Sequence, residues 1–318
     1  MDGEPGVSMS RDMAGSQRLG NRIDRWLLKR GFRKGWPLLT LNLIEARRKL
    51  AAPHLFLTGA ASAPQVSEWT SFISRRDGYR LFDDAAFPEL AAVVEASRAV
   101  FERHRDEVTD PKAYNKPYFF NVLETADLRA HSVLADFALS RPVTEAAAGY
   151  LGQPPRLHSM GVFYSAVNDT VDGSQMYHVD GDALSQVKCF VNVWDVKPGG
   201  GAFTFLPKGR TPRRFRSGGL LKTLSDEAVS AAVTDAEQMV ATGGPGSGVF
   251  VDTSRCLHQG SRARDHSRLV FQFQYVPRPD ALLARDGGRT PRGGHLLVTR
   301  SVLDGIELAN PDAMKFVD

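Results

Sequence analysis

The sequence predicts an α+β fold in which helices pack on an antiparallel β core, and three observations predict it. Helical periodicity is confined mostly to the first half of the chain, as in "FPELAAVVEASRAVFERHRDEV" at 87–108. From about residue 156 the character changes to short runs rich in Val, Phe and Tyr, separated by clusters of Gly, Pro, Asn and Asp. Helices and strands are therefore segregated rather than alternating, which argues against repeated βαβ units. Short strands at such spacing, with turn signals between them, suggest a sandwich or barrel.

Residues 1–20, polar and rich in Gly and Ser, predict a disordered tail. A basic helical segment follows over 21–53, and 54–318 reads as one domain. Within 22–36, "RIDRWLLKRGFRKGW", the spacing puts Ile23, Trp26 and Leu27 on roughly one helical face among six basic residues. That segment reads as a surface helix whose apolar stripe packs on the domain. "HLFLTG" at 54–59 and "YFFNVL" at 118–123 are strand-like. In 87–108, Leu90, Val93, Val94, Val100 and Phe101 recur at helical steps. In "SRPVTEAAAGYLG", 140–152, Pro142 falls in the first turn and Gly152 just past the end, where helices favour them. The β core spans about 156–278, interrupted by a partly helical stretch at 217–240, and 279–318 forms a C-terminal extension along its edge. "GGG" at 199–201 and "GGPGSG" at 243–248 lack the spacing of phosphate-cradling loops and precede strand-like runs. They read as hairpin turns, where Gly supplies positive φ.

Composition narrows the function classes. The chain of 318 residues is 42% hydrophobic and 24% charged, the balance of a soluble globular protein. No stretch approaches the roughly 18–20 apolar residues that span a bilayer, and the N-terminus carries no apolar secretion core. Cys189 and Cys256 form no C-x-x-C pair and no disulfide framework. They read as small buried hydrophobes, and the expectation is a reduced, cytoplasmic protein. A net charge of +4, with no repeated basic-aromatic pattern, predicts no nucleic-acid groove. The expected partner is a small molecule.

The chemistry is concentrated in "YHVDGDA" at 177–183. On an extended backbone His178 and Asp180, two positions apart, point to the same side and can grip one object. His258 in "VFVDTSRCLHQGSR" is the candidate third ligand. Two histidines and one carboxylate make the facial arrangement used for non-haem Fe(II), with three positions left open. The absence of thiolate argues against structural zinc. Ten residues after His258, Arg268 opens the alternating strand "RLVFQFQYV". A permanent charge entering a buried strand is costly unless it meets an anion, and a dicarboxylate would fit its planar fork. Arg262 and Arg264 compete for that role but lie nearer His258, in what reads as a turn.

H-x-D, a later His and an Arg about ten residues beyond it resemble the signature of Fe(II)/2-oxoglutarate-dependent oxygenases. The surrounding text resembles the phytanoyl-CoA dioxygenase-like branch. "QMYHVDGD" is similar to its Q-x-x-H-x-D, "FVNVWDVKPGGGAFTFLPKGR" to its strand, Gly-rich turn and F-x-F-x-P run, and "GSGVFVDTSRCLHQGS" to its G-x-x-x-x-F-D-x-x-x-x-H-x-G. The resemblance covers about 120–276. It implies a double-stranded β-helix, a jelly-roll or cupin-like barrel flanked by N-terminal helices. It also implies Fe(II) held by His178, Asp180 and His258, with 2-oxoglutarate and O2 as cosubstrates. The implied reaction is oxidation, by hydroxylation, of a small molecule with release of succinate and CO2. One departure is that Arg210 stands where the branch often has a His.

Further residues join the candidate list. Arg268, Asn192, Thr204 and Tyr164 are cosubstrate candidates. Alternation puts Lys188, Asn192 and Trp194 on one face of strand 187–196 and Cys189, Val191 and Val193 on the other. Gln175, Lys188, Trp194, Asn115, Tyr118 and Asn121 are candidate substrate or cavity residues. Two competing functions keep the barrel: a metal-dependent cupin without oxidative chemistry, and a non-catalytic barrel that binds a small ligand; a third makes the basic segment 22–36 the working part of a membrane or nucleic-acid adaptor.

Overall fold

The computed structural model describes residues 67–109, 118–212, 223–277 and 294–317, together with Leu43. The chain divides into two compact units, Met1–Thr58 and Gly59–Asp318, and every described residue except Leu43 belongs to the second. The tail at 1–20, the basic segment, the strand at 54–59 and Asn115 lie outside the described residues.

The second unit is built in layers. Among the described residues, ten strands form two antiparallel sheets. The larger contains β1 (Tyr79–Phe82), β2 (Phe120–Asn121), β3 (Pro155–Ser165), β4 (Val187–Asn192), β7 (Gly248–Val251), β9 (Arg268–Pro277) and β10 (Leu296–Leu297). Its order is β1-β7-β4-β9-β3-β10, with β2 also paired to β3. The smaller sheet is β6-β5-β8, from Met239–Ala241, Phe203–Phe205 and His258–Gln259. The expected barrel is thus an open pair of sheets among the described residues. Single bridges, Tyr177 to Leu224, His178 to His258, Val196 to Gly243 and Gly200 to Ala263, add pairing outside the regular ladders.

Helices cover one face of the large sheet. They are α1 (Leu90–Arg103), α2 (Thr125–Ala130), α3 (Val133–Ala138) and α4 (Arg141–Leu151); the short α5 (Asp226–Ser230) and α6 (Arg300–Leu303) come later. In α1 the buried residues Leu90, Val93, Val94, Ser97, Val100 and Phe101 keep the periodicity read from the sequence. Pro142 sits in the first turn of α4, and Gly152 ends the helix in the left-handed region at φ 71°. These helices share one core with Val187, Cys189 and Val191 of β4 and Leu269, Phe271, Phe273 and Tyr275 of β9.

Strand alternation then dictates the opposite face. On β4 it carries Lys188, Phe190 and Asn192; on β9 it carries Arg268, Val270, Gln272 and Gln274. On β3 the register slips between Leu157 and Ser159, so His158 is an extra residue. This bulge resets the alternation: Leu157, Met160 and Val162 all reach the helical core, and Ser159, Gly161, Phe163 and Ser165 face away from it. The gap between the sheets is closed by Phe190, Val249 and Val251 from the large sheet and Phe203, Phe205 and Ala241 from the small one. The Gly-rich turns behave as read: Gly199, Gly201, Gly243 and Gly246 all have positive φ.

Candidate metal centre

His178 and Asp180 lie on an extended segment between the 3-10 turn Gly173–Gln175 and β4. His258 opens β8. The two histidines are a backbone pair: each N–H donates to the other's carbonyl at 2.9 Å. Directly paired residues share a face, and the two rings accordingly lie 4.3 Å apart. The Asp180 N–H donates to the Thr253 carbonyl at 2.9 Å, so its side chain is presented beside theirs. One atom from each of the three side chains falls within a 4.8 Å set, the one such cluster among the described residues. His178 Nε2 is 3.6 Å from Asp180 Oδ1, and His258 Nε2 is 3.9 Å from Oδ2.

Both imidazoles are oriented by the backbone. Nδ1 of His178 lies 2.9 Å from the Met176 carbonyl, and Nδ1 of His258 lies 2.9 Å from that of Cys256. A carbonyl only accepts, so Nδ1 carries the proton and the Nε2 lone pair is left bare toward the carboxylate. Burial, with the charge of His178 added, holds the His258 imidazole down at about 3, so it is neutral near neutral pH. Burial opposes the charge of Asp180, but the Lys188 ammonium and the two imidazoles keep its carboxyl well below the usual range. The donor set is two imidazole nitrogens and one carboxylate. Both cysteines are elsewhere: Cys189 packs in the helical core and Cys256 approaches the Asp77 and Gly78 carbonyls.

Arg268 is buried at 3% exposure. Its Nη2 donates to Ser261 Oγ at 3.2 Å, and its Nε has no hydrogen-bond partner. Burial lowers this guanidinium to about 10. Ser165 stands directly opposite on β3, fully buried, with its Oγ also unpartnered. Among the described residues, two cross-strand partners on the face turned away from the helices thus each carry an orphaned polar group. The competing arginines are engaged at the periphery. Arg262 donates to Asp226 and to the Gln175 carbonyl, and Arg264 donates to the Asn168 carbonyl.

The remaining candidates spread out. Lys188 reaches Asp180 Oδ2 at 2.7 Å. Asn192 shares its face with Lys188, and its amide donates to Ser247 Oγ at 3.1 Å. Thr204 pairs with Gln259 and Val240, on the opposite face of the small sheet from Phe203, Phe205 and His258, because alternation separates them. Trp194 does not follow the face of Lys188. The strand ends at Asn192, and the indole packs with Tyr164 against Phe101. The Gln175 amide is consumed by Asn168, Thr170, Asp172 and Ser261, and that of Asn121 by Leu123, Val162 and Gly294. Both are pins for loops. Tyr118 is buried, with its hydroxyl over the α-carbon of Gly173.

Sequence reasoning missed Ser165, Gln186 and Gln274. The alternation in "RLVFQFQYV" already puts Arg268, Gln272 and Gln274 on one face, which is a usable signal. Ser165 offers none, since its position opposite Arg268 is a matter of register.

No family model and no curated protein matches the chain. Among solved structures it is similar to SnoK, a non-heme alpha ketoglutarate dependent carbocyclase from nogalamycin biosynthesis, at 16% identity and TM-score 0.49, covering 74% of this chain and 94% of that one. It is similar to apo EctD from S. alaskensis at 16% identity and TM-score 0.47, covering 73% and 88%. HygX from Streptomyces hygroscopicus, solved with nickel and 2-oxoglutarate bound, matches at 15% identity and TM-score 0.47, covering 74% and 98%. At that distance the reading of the site rests on its own residues.

Proposed function

We propose that this chain is a non-haem Fe(II)- and 2-oxoglutarate-dependent oxygenase of the phytanoyl-CoA dioxygenase-like branch, hydroxylating a small molecule in the cytoplasm. The observation that carries the reading is the conjunction of a metal-ready triad with a buried, anion-seeking pair. His178 and His258 present Nε2 beside the Asp180 carboxylate, and in the same unit Arg268 Nε and Ser165 Oγ are buried with no hydrogen-bond partner among the described residues. Two imidazoles and a carboxylate without thiolate suit Fe(II).

His178, Asp180 and His258 would hold the metal, and bound iron with 2-oxoglutarate supplies oxidising power from O2, with succinate and CO2 as co-products. Arg268 would take the distal carboxylate of the cosubstrate in its planar fork, with the Ser165 hydroxyl as a second donor. Phe203 lies 5.1 Å from the His258 ring and stacks on Phe190 at 4.5 Å. This apolar wall keeps water from the buried side of the triad.

The test is anaerobic addition of Fe(II) and then 2-oxoglutarate to the metal-free protein, read by visible absorption. The expected result is a weak metal-to-ligand charge-transfer band, lost in His178→Ala and weakened in Arg268→Ala. Stoichiometric metal binding without the band would leave a non-oxidative cupin. A protein that binds no metal would leave a ligand-binding barrel.

A further inference from the structure

Asp180 does not offer its two oxygens equally. Among the described residues, both hydrogen-bond donors to its carboxylate fall on Oδ2: Lys188 Nζ at 2.7 Å and Gln186 Nε2 at 3.1 Å. Oδ1 accepts no hydrogen bond from a described residue and lies 3.6 Å from Nε2 of His178, while Nε2 of His258 lies 3.9 Å from Oδ2.

The donors on Oδ2 are themselves held in place. Gln186 is fully buried, and its Nε2 also donates to Thr253 Oγ1 at 2.6 Å. Its Oε1 accepts from Gln274 Nε2 at 3.1 Å. Gln274 Nε2 gives its second hydrogen to Asp182 Oδ2 at 3.0 Å, and its Oε1 accepts from Ser159 Oγ at 3.4 Å. Every amide hydrogen of the two glutamines has an acceptor, which leaves neither amide free to flip. The chain of contacts runs from β3 across β9 to the residue before β4, three neighbours in the centre of the large sheet. Lys188 leaves β4 opposite Gln274 and is only 8% exposed.

We propose that Lys188 and Gln186, braced by Gln274, form a positioning clamp on Oδ2 of Asp180 that leaves Oδ1 alone to bind a metal ion. The clamp rests on the metal-centre reading above and adds to it a device for keeping a coordination position open. A carboxylate with both oxygens free can bind a cation in bidentate fashion and occupy two positions. A cation and an amide N–H on Oδ2 use its lone pairs and make that second bond costly. The Lys188 charge also repels a divalent ion. The clamp therefore gives up metal affinity in exchange for an open site.

The experiment uses Co(II), followed by visible absorption, on the full chain and on Lys188→Met, with circular dichroism as the folding control. 2-Oxoglutarate is then titrated calorimetrically into each Co(II) form. Loss of the nearby positive charge should tighten Co(II) binding about tenfold. Capture of Oδ2 by the metal should weaken 2-oxoglutarate binding about tenfold. Lys188→Arg should restore both. Where Lys188→Met does not fold, Lys188→Gln removes the charge and should move both affinities in the same directions. Unchanged or weaker Co(II) binding in a folded, uncharged variant overturns the clamp and leaves the metal centre standing. A folded wild-type protein that binds no Co(II) sinks the metal centre, and the clamp falls with it.

Discussion

Among the described residues, Arg268 has no carboxylate partner for its buried charge. A buried guanidinium with an unpartnered Nε and one hydrogen bond to a serine hydroxyl costs more than that bond returns. Replacing it with Met, similar in length and apolar, should raise the stability of the ligand-free protein by about 1–3 kcal/mol in urea melts. In the same melts, 2-oxoglutarate with Mn(II) should raise the midpoint of the wild type more than that of Arg268→Met. A variant destabilised by a similar amount would mean that Arg268 is structural. Residue by residue, the site was legible where chemistry and spacing coincide. H-x-D puts His178 and Asp180 on one side of an extended chain, where they lie beside His258, and Arg268 is buried at the head of its apolar strand. Ser165 and Gln186 were illegible for a physical reason, and Gln274 was legible only as to its face. Their roles depend on which residue lies opposite them, and alternation gives a side chain's face but not its partner. Thr204 shows the same gap from the other direction, since its register puts it on the face away from His258.

At the scale of elements, the joint between α1 and α2 shows how helix ends are satisfied and titrate. His104 is the C-cap of α1, and Asp127 lies in the first turn of α2, where it also accepts the Glu124 N–H in a capping box. The imidazole bridges Glu107 at 2.8 Å and Asp127 at 3.0 Å, with Arg103 on the other oxygen of Asp127. A cation at a helix C-terminus facing an anion at a helix N-terminus is favoured by both dipoles. Burial opposes protonation of His104, but its bonds to Glu107 and Asp127 outweigh it and raise the group above its usual 6.5. A raised folded-state value means stability that is fully present below about pH 6.5 and is lost as pH rises through the folded value. His104→Gln should therefore cost about 1 kcal/mol near pH 6 and less near pH 8.5, read from urea midpoints at the two pH values. An equal cost at both would show that the protonated imidazole contributes nothing. The helices themselves were legible. The apolar steps over 87–108 become Leu90–Arg103, and Pro142 with Gly152 brackets Arg141–Leu151. The bulge at His158 was not, because an extra residue in a strand has no composition of its own.

For the whole molecule, segregation of helices and strands along the chain translated directly into layers, with helices on one face of the large sheet and the small sheet on the other. Closure was the part that pattern could not supply. The strands of the small sheet are two or three residues long, too short to carry a ladder around a barrel. The triad compensates for this at one place. His258 belongs to the small sheet, His178 is bridged to it, and Asp180 is held by Lys188 from β4 of the large sheet. A metal ion bound to all three side chains would therefore tie the two sheets together. Binding to the native state alone stabilises it by mass action, and the gain appears where local opening breaks the site. Hydrogen exchange with and without Mn(II) should thus show β9 slow in both states, because it is paired on both sides by β3 and β4. Metal should slow exchange chiefly in β5, β8 and the segment around 178–180. In Asp180→Ala that added protection should vanish while β9 stays unchanged. Protection spread evenly over both sheets, or confined to the helices, would mean that the ion binds somewhere other than this triad.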